Sequence, residues 1–206
     1  MKSIYIMMSH TNTTIGKLIR FFSKYKYNHI SISSNSTLQP LYSFARYHYN
    51  SPLVGGFVQE SILRYLYNNQ DVPIRIYNIE ITESQFQKFE SIMLLHSNES
   101  PKYIYNTFGL FFNNKNLCPY SQTCLSFTES VLKDIEILSS DINIKNIKDL
   151  ANHLSIYPYT DTTLTIMSKI SYNWGNDMYN KKVPIHKIIH DTFTHFHKLI
   201  YLHKVH

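Results

Sequence analysis

Two side chains have the type and local context that nucleophilic chemistry needs: Cys124 and His29. Cys124 falls early in Ser121–Leu138, where Phe127, Val131, Leu132 and Ile135 recur at helical spacing. With Ser121 as the expected N-cap, Cys124 occupies the third helical position. Unpaired N–H groups and the positive end of the helix dipole favour a thiolate there. The same N–H groups can face a developing oxyanion. The competing reading is a small buried apolar residue, because free cysteine is among the most buried residue types. His29 lies at the start of Asn28-His29-Ile30-Ser31-Ile32-Ser33, which alternates strictly. That pattern puts Ile30 and Ile32 on one face and His29, Ser31 and Ser33 on the other. An imidazole on a strand opposite a thiol at a helix start can act first as base and then as acid. Taken by itself, His29 reads first as a surface or satisfied histidine and only second as a catalytic base. The second cysteine, Cys118, precedes Pro119 in a loop without helical support and reads as an incidental thiol.

The pair needs a sheet and a helix to position it, and the pattern supplies both. Ile4–Met8 reads as a buried strand ending in the polar run Ser9–Thr13. Thr13 or Thr14 caps a helix to about Lys24, with Ile15, Leu18, Ile19 and Phe22 as its apolar stripe. After the His29 strand, Ser34-Asn35-Ser36 signals a turn and Leu41–Arg46 the returning strand. Pro73–Ile81 is a further β-segment, and Thr82 with Gln85 forms a capping box for a helix striped by Phe86, Phe89, Ile92 and Met93. Tyr103–Phe112 reads as aromatic core. Beyond the Cys124 helix, Ile147–Leu154 reads as a short helix and Thr163–Ile170 as a strand. The tail Pro184–His203 reads as an amphipathic helix with Ile185, Ile188, Ile189, Phe193, Phe196 and Ile200 on its apolar side.

Composition excludes several classes. The chain has 206 residues, which suits one domain or one domain with an appendage, and its hydrophobic fraction of 43% argues against disorder. Two cysteines do not make a disulfide scaffold. No run approaches the ~20 apolar residues of a membrane span, and Met1–Met8 is too short for a signal sequence, so a cytoplasmic setting is expected. The net charge of +6 permits acidic partners without requiring them. Its densest early group is Lys17, Arg20, Lys24 and Lys26, read either as a solvated face or as contact with an anionic surface or nucleic acid. In the tail, His186, His190 and His197 have spacing compatible with zinc or nickel, but no companion ligand supports it, and a solvated helix face is the reading taken.

The segment Lys26-Tyr27-Asn28-His29-Ile30-Ser31-Ile32 resembles the histidine strand of circularly permuted NlpC/P60-type papain-like enzymes. That group includes YiiX-like proteins and is related to lecithin:retinol acyltransferase-like thiol enzymes. Cys124-Leu125-Ser126-Phe127-Thr128-Glu129-Ser130-Val131-Leu132 is similar to their cysteine helix. The histidine strand comes early and the cysteine helix late, as in that group. Leu41–Arg46 and Gly55-Gly56-Phe57 also look like segments of it. The resemblance covers roughly residues 1–138. It departs at Leu125, where serine is usual, and at Thr123, where an aromatic is common. It implies a third, polar residue on the strand after the histidine, which falls at Ser43; Glu60 is a more distant choice.

The resulting expectation is an α+β, permuted papain-like (NlpC/P60-like) fold over residues 1–180, with an antiparallel sheet packed against the cysteine helix and a His-rich helix over 181–206. The expected chemistry is that of a thiol-dependent hydrolase or acyltransferase working through a Cys124 thioester, with Cys124, His29 and Ser43 as its residues. Peptide, amide or lipid acyl groups are the substrate classes the resemblance implies. No cofactor or metal is called for, and the C-terminal helix could hold a protein partner. Two alternatives stand beside this: a catalytically weakened binding module on the same fold, with Leu125 and Ser43 as signs of decay, and a basic nucleic-acid-binding protein, against which the wide spacing of Lys and Arg counts.

Overall fold

The computed structural model describes residues 1–66, 70–107, 109, 120–165 and 177–205. The fold is α+β. Its main sheet is formed by β1 (Lys2–Ser9), β2 (His29–Ser33), β3 (Leu41–Arg46), β4 (Gly55–Glu60), β5 (Val72–Ile81) and a late strand, Tyr159–Leu164. A separate parallel pair joins β6 (Ile104–Tyr105) to β7 (Ser121–Gln122), so the late strand is β8. The six strands of the main sheet are antiparallel and run in the order β4-β3-β2-β1-β5-β8. Five α-helices are described: α1 (Thr14–Ser23), α2 (Glu83–Asn98), α3 (Cys124–Asp134), α4 (Ile147–His153) and α5 (Ile185–Val205).

The two-residue period of the strands divides the core into two layers. On one side of the sheet, Ile4, Ile6, Met8, Ile30, Ile32, Phe44 and Phe57 pack with Phe89 of α2, Phe127, Val131 and Leu132 of α3, and Leu150 of α4. On the other side, Met7, Leu41, Val72 and Ile74 pack with Ile62, Leu63 and Leu66 of a 3₁₀ turn that follows β4. The polar face of β2 is therefore covered as well. Ser31 and Ser33 are fully buried, where alternation in the sequence suggests a half-exposed strand.

Several boundaries differ from expectation. Thr123, not Ser121, caps α3: its side chain accepts from the Ser126 N–H, and the Ser126 side chain accepts from the Thr123 N–H. Ser121 is drawn into β7 instead, which moves Cys124 from the third helical position to the first. Of the expected aromatic core at Tyr103–Phe112, Tyr103, Ile104 and Tyr105 are buried, and most of the rest lies outside the described residues. β8 runs earlier than the expected Thr163–Ile170 segment, whose last five residues lie outside the described residues. In α1, Ile15 and Ile19 face the protein, but Leu18 and Phe22, expected on the same buried stripe, are exposed. The C-terminal helix departs most. Leu199 and His195 face the body, while Ile185, Ile189, Phe193 and Ile200 of its apolar side are exposed. Among the described residues no helix is long and apolar enough to cross a membrane.

Candidate active site

His29 is the first residue of β2 and Cys124 the first of α3, and α3 lies against β2 and β3. The topology thus brings together two residues 95 positions apart in sequence. Cys124 lies close enough to the His29 ring to raise its pKa. The other side of that ring meets a carboxylate: His29 Nε2 lies 3.1 Å from Glu60 Oε1 and 3.2 Å from Oε2. Because Nε2 is engaged by Glu60, Nδ1 is the nitrogen left for the thiol.

Glu60 ends β4, two strands from β2, and is 3% exposed. A buried carboxylate is tolerated only when its oxygens are fully partnered. Here the chain turns directly after Glu60 into the 3₁₀ segment Ile62–Leu66, which returns two donors to it. Arg64 Nη1 donates to Oε1 at 2.7 Å, and the Tyr65 hydroxyl donates to Oε2. Ser31, on the same face of β2 as His29, donates to Oε2 as well. Arg64 is in turn held by the Arg46 carbonyl at 2.9 Å and faces Asp177 at 3.7 Å.

This network sets the charges. Burial alone would lower the His29 pKa, but the Glu60 carboxylate, and after it Cys124, outweigh burial and raise it to about 10. Burial alone would raise Glu60; His29 and then Arg64 overcome it and pull the carboxyl down to about 2. At neutral pH His29 is therefore an imidazolium beside the Glu60 carboxylate and the Cys124 sulfur. Tyr105, buried next to Cys124, is pushed well above the ordinary phenol range, by burial first and then by Cys124, and stays an O–H donor. Its position follows from the β6–β7 pair, where Tyr105 is paired with Gln122, two residues before Cys124. From behind, His195 of α5 donates Nε2–H to the Tyr105 carbonyl at 2.9 Å.

A cavity of about 90 Å³ opens onto His29, lined by Ile15 and Ile19 of α1, by Asn28, and by Glu60 and Tyr105; Cys124 is not among its lining residues. Asn28 fixes its rim, accepting from the Thr11 N–H at 2.7 Å and donating to the Thr11 carbonyl at 2.9 Å.

The structure brings two of the three expected residues together and corrects the third. Ser43 is fully buried and donates its hydroxyl to the Ile30 carbonyl at 2.8 Å. It serves the β2–β3 pairing and leaves the His29 ring to Glu60, which sequence reasoning ranks behind it. A signal for Glu60 is present: it is the only Asp or Glu among residues 1–70. Cys118 lies outside the described residues. In α5, His190 Nδ1 is 3.2 Å from Asp191 Oδ1, and no group of three metal-ligand side chains occurs among the described residues.

No family model matches the chain, and no curated protein or solved structure compared with it matches either.

Proposed function

We propose that the chain is a thiol-dependent acyl-transfer enzyme, a hydrolase or acyltransferase, on a permuted papain-like fold. One arrangement carries the reading: a cysteine at a helix start adjoins a histidine whose Nε2 is held by a buried, charged carboxylate. Each part then has a role. His29 Nδ1 exchanges a proton with Cys124 Sγ, and the imidazolium beside it favours the thiolate. Glu60 fixes the ring orientation and stabilises its positive form. The thiolate attacks the carbonyl carbon of an amide or ester. The N–H groups of Cys124 and Leu125, which lack intrahelical partners at a helix start, and the Tyr105 hydroxyl are the donors assigned to the oxyanion. As the tetrahedral centre collapses, the C–N or C–O bond breaks and His29 gives its proton to the leaving amine or alcohol. Water, or a second nucleophile in the acyltransferase variant, then loses its proton to His29 and attacks the thioester, which frees the thiol.

Glu60 also bears on the alternative of a weakened binding module. Ser43 counts as a sign of decay only if it orients His29, and a carboxylate in that role removes that sign. The substrate classes remain peptide, amide or lipid acyl groups. A small thiol-directed electrophile tests the reading, with the modified residue located by mass spectrometry. Rapid modification at Cys124, lost in His29→Ala, is the expected result; an unreactive Cys124 in the folded protein overturns it.

A further inference from the structure

The helix that walls the cavity with Ile15 and Ile19 turns a second apolar stripe outward. Phe21 is 75% exposed, Phe22 65% and Leu18 37%. Positions 18, 21 and 22 lie within about 100° on a helical wheel. The two phenyl rings meet edge to face with centroids 5.5 Å apart, so the stripe is a convex ridge rather than a groove. Exposed Lys17 and Lys24 flank it, and α1 contains no acidic residue. The bias extends well beyond the helix: residues 1–59 hold six Lys or Arg and no Asp or Glu.

We propose that α1 is an interfacial docking helix that seats the mouth of the cavity on an anionic lipid surface. A folded partner would need a concave pocket to match a protruding pair of phenyl rings. A bilayer interface accepts such a ridge without a matching shape, and it takes aromatic side chains at headgroup depth with lysines reaching the phosphates. A second copy of the chain fits poorly, since pairing α1 with itself would bring Lys17 and Lys24 against their own kind. The proposal goes beyond the thiol chemistry and does not depend on it.

The test is flotation of the full chain with phosphatidylcholine vesicles, with and without phosphatidylserine. The serine lipid is expected to raise partitioning, about fivefold for each lysine engaged. Phe21→Ser and Phe22→Ser each weaken it about tenfold. Lys17→Glu/Lys24→Glu abolishes the preference for the anionic lipid. Ile189→Ser/Phe193→Ser, on the exposed stripe of α5, has a smaller effect than either Phe variant. Equal binding to both vesicle types, no binding to either, or a loss in the α5 variant as large as that in the α1 variants overturns the proposal. Capture by a protein in place of lipid, with no vesicle binding, does the same. Should the serine variants fail to fold, Phe22→Trp carries the test: brominated acyl chains in the anionic vesicles quench the fluorescence of an indole inserted at that position, and unchanged emission overturns insertion. Vesicle binding requires no turnover, so an inert thiol would leave this result standing.

Discussion

Glu60→Gln isolates the group on which the site turns. The amide is nearly isosteric and keeps an acceptor for Ser31 or Tyr65, but it loses the charge facing His29 Nε2 at 3.1 Å and Arg64 at 2.7 Å. Holding an imidazolium to about pH 10 rather than 6.5 corresponds to roughly 5 kcal/mol of differential interaction, to which Glu60 is the leading favourable contributor. Without the carboxylate, burial works against the imidazolium, and the ring is expected to titrate several pH units lower. Loss of an orienting carboxylate in a triad can cost on the order of 10⁴ in turnover. Stability falls too, by about 3–5 kcal/mol, because Arg64 is left buried without its main partner. The assay is alkylation of Cys124 by iodoacetamide, a reagent small enough for a thiol that is 3% exposed, followed from about pH 5 to about pH 10. The variant should be alkylated at least about tenfold more slowly than wild type near pH 6.5, because His29 loses the charge that Glu60 holds on it. Glu60→Asp, which keeps the charge on a shorter arm, should fall between them. Superimposable profiles for wild type and a folded Glu60→Gln would refute the assigned role.

The same pair predicts how stability depends on pH. His29 has a raised pKa, so its contribution is complete below about 6.5 and is lost as pH rises through about 10. Glu60 has a lowered pKa, so its contribution is complete above about 4.5 and is lost as pH falls toward 2. Urea midpoints should therefore peak between those limits in wild type and flatten in Glu60→Gln. Ser43→Ala should cost about 1 kcal/mol through its lost bond to Ile30 while leaving turnover per folded molecule unchanged; a large loss of turnover would restore it to the site. Thr123→Ala removes the cap that sets Cys124 at the start of α3, and should lower stability by about 0.5–2 kcal/mol and slow Cys124 alkylation. Gly16→Ala would place a methyl 1.9 Å from Asn28 Nδ2 and 2.7 Å from the Thr11 carbonyl. It should destabilise by about 1–3 kcal/mol and disturb the rim of the cavity, as read by unfolding and by alkylation rate.

What the sequence makes legible, and what it hides, follows from the range over which each signal acts. The β2 alternation, the α2 capping box and the period of α3 are local, and each appears as an element with only its ends moved. The pairing of Cys124 with His29 is not local; the resemblance in order and spacing suggests it, since no periodic pattern links positions 29 and 124. Ser43 fails because a strand position fixes which face a side chain occupies but not which neighbour takes its one proton. The Ile30 carbonyl on the adjacent strand takes it. Glu60 is hidden for the opposite reason. A carboxylate next to Ser61 in a polar stretch reads as a surface residue until the following 3₁₀ turn folds Arg64 and Tyr65 back over it. The sequence does bear on this: a lone acid among the first 70 residues, four positions before Arg64 and five before Tyr65, has its partners within one turn. Amphipathicity misleads in α1 and α5 because a helical moment reports that apolar residues share a side, not that the side is covered. In α1 Ile15 and Ile19 turn inward, Phe21 and Phe22 turn outward, and the helix becomes wall and ridge at once. The exposed apolar side chains thus mark surfaces that packing among the described residues leaves open, and the cationic flank of α1 is what gives one of them a direction.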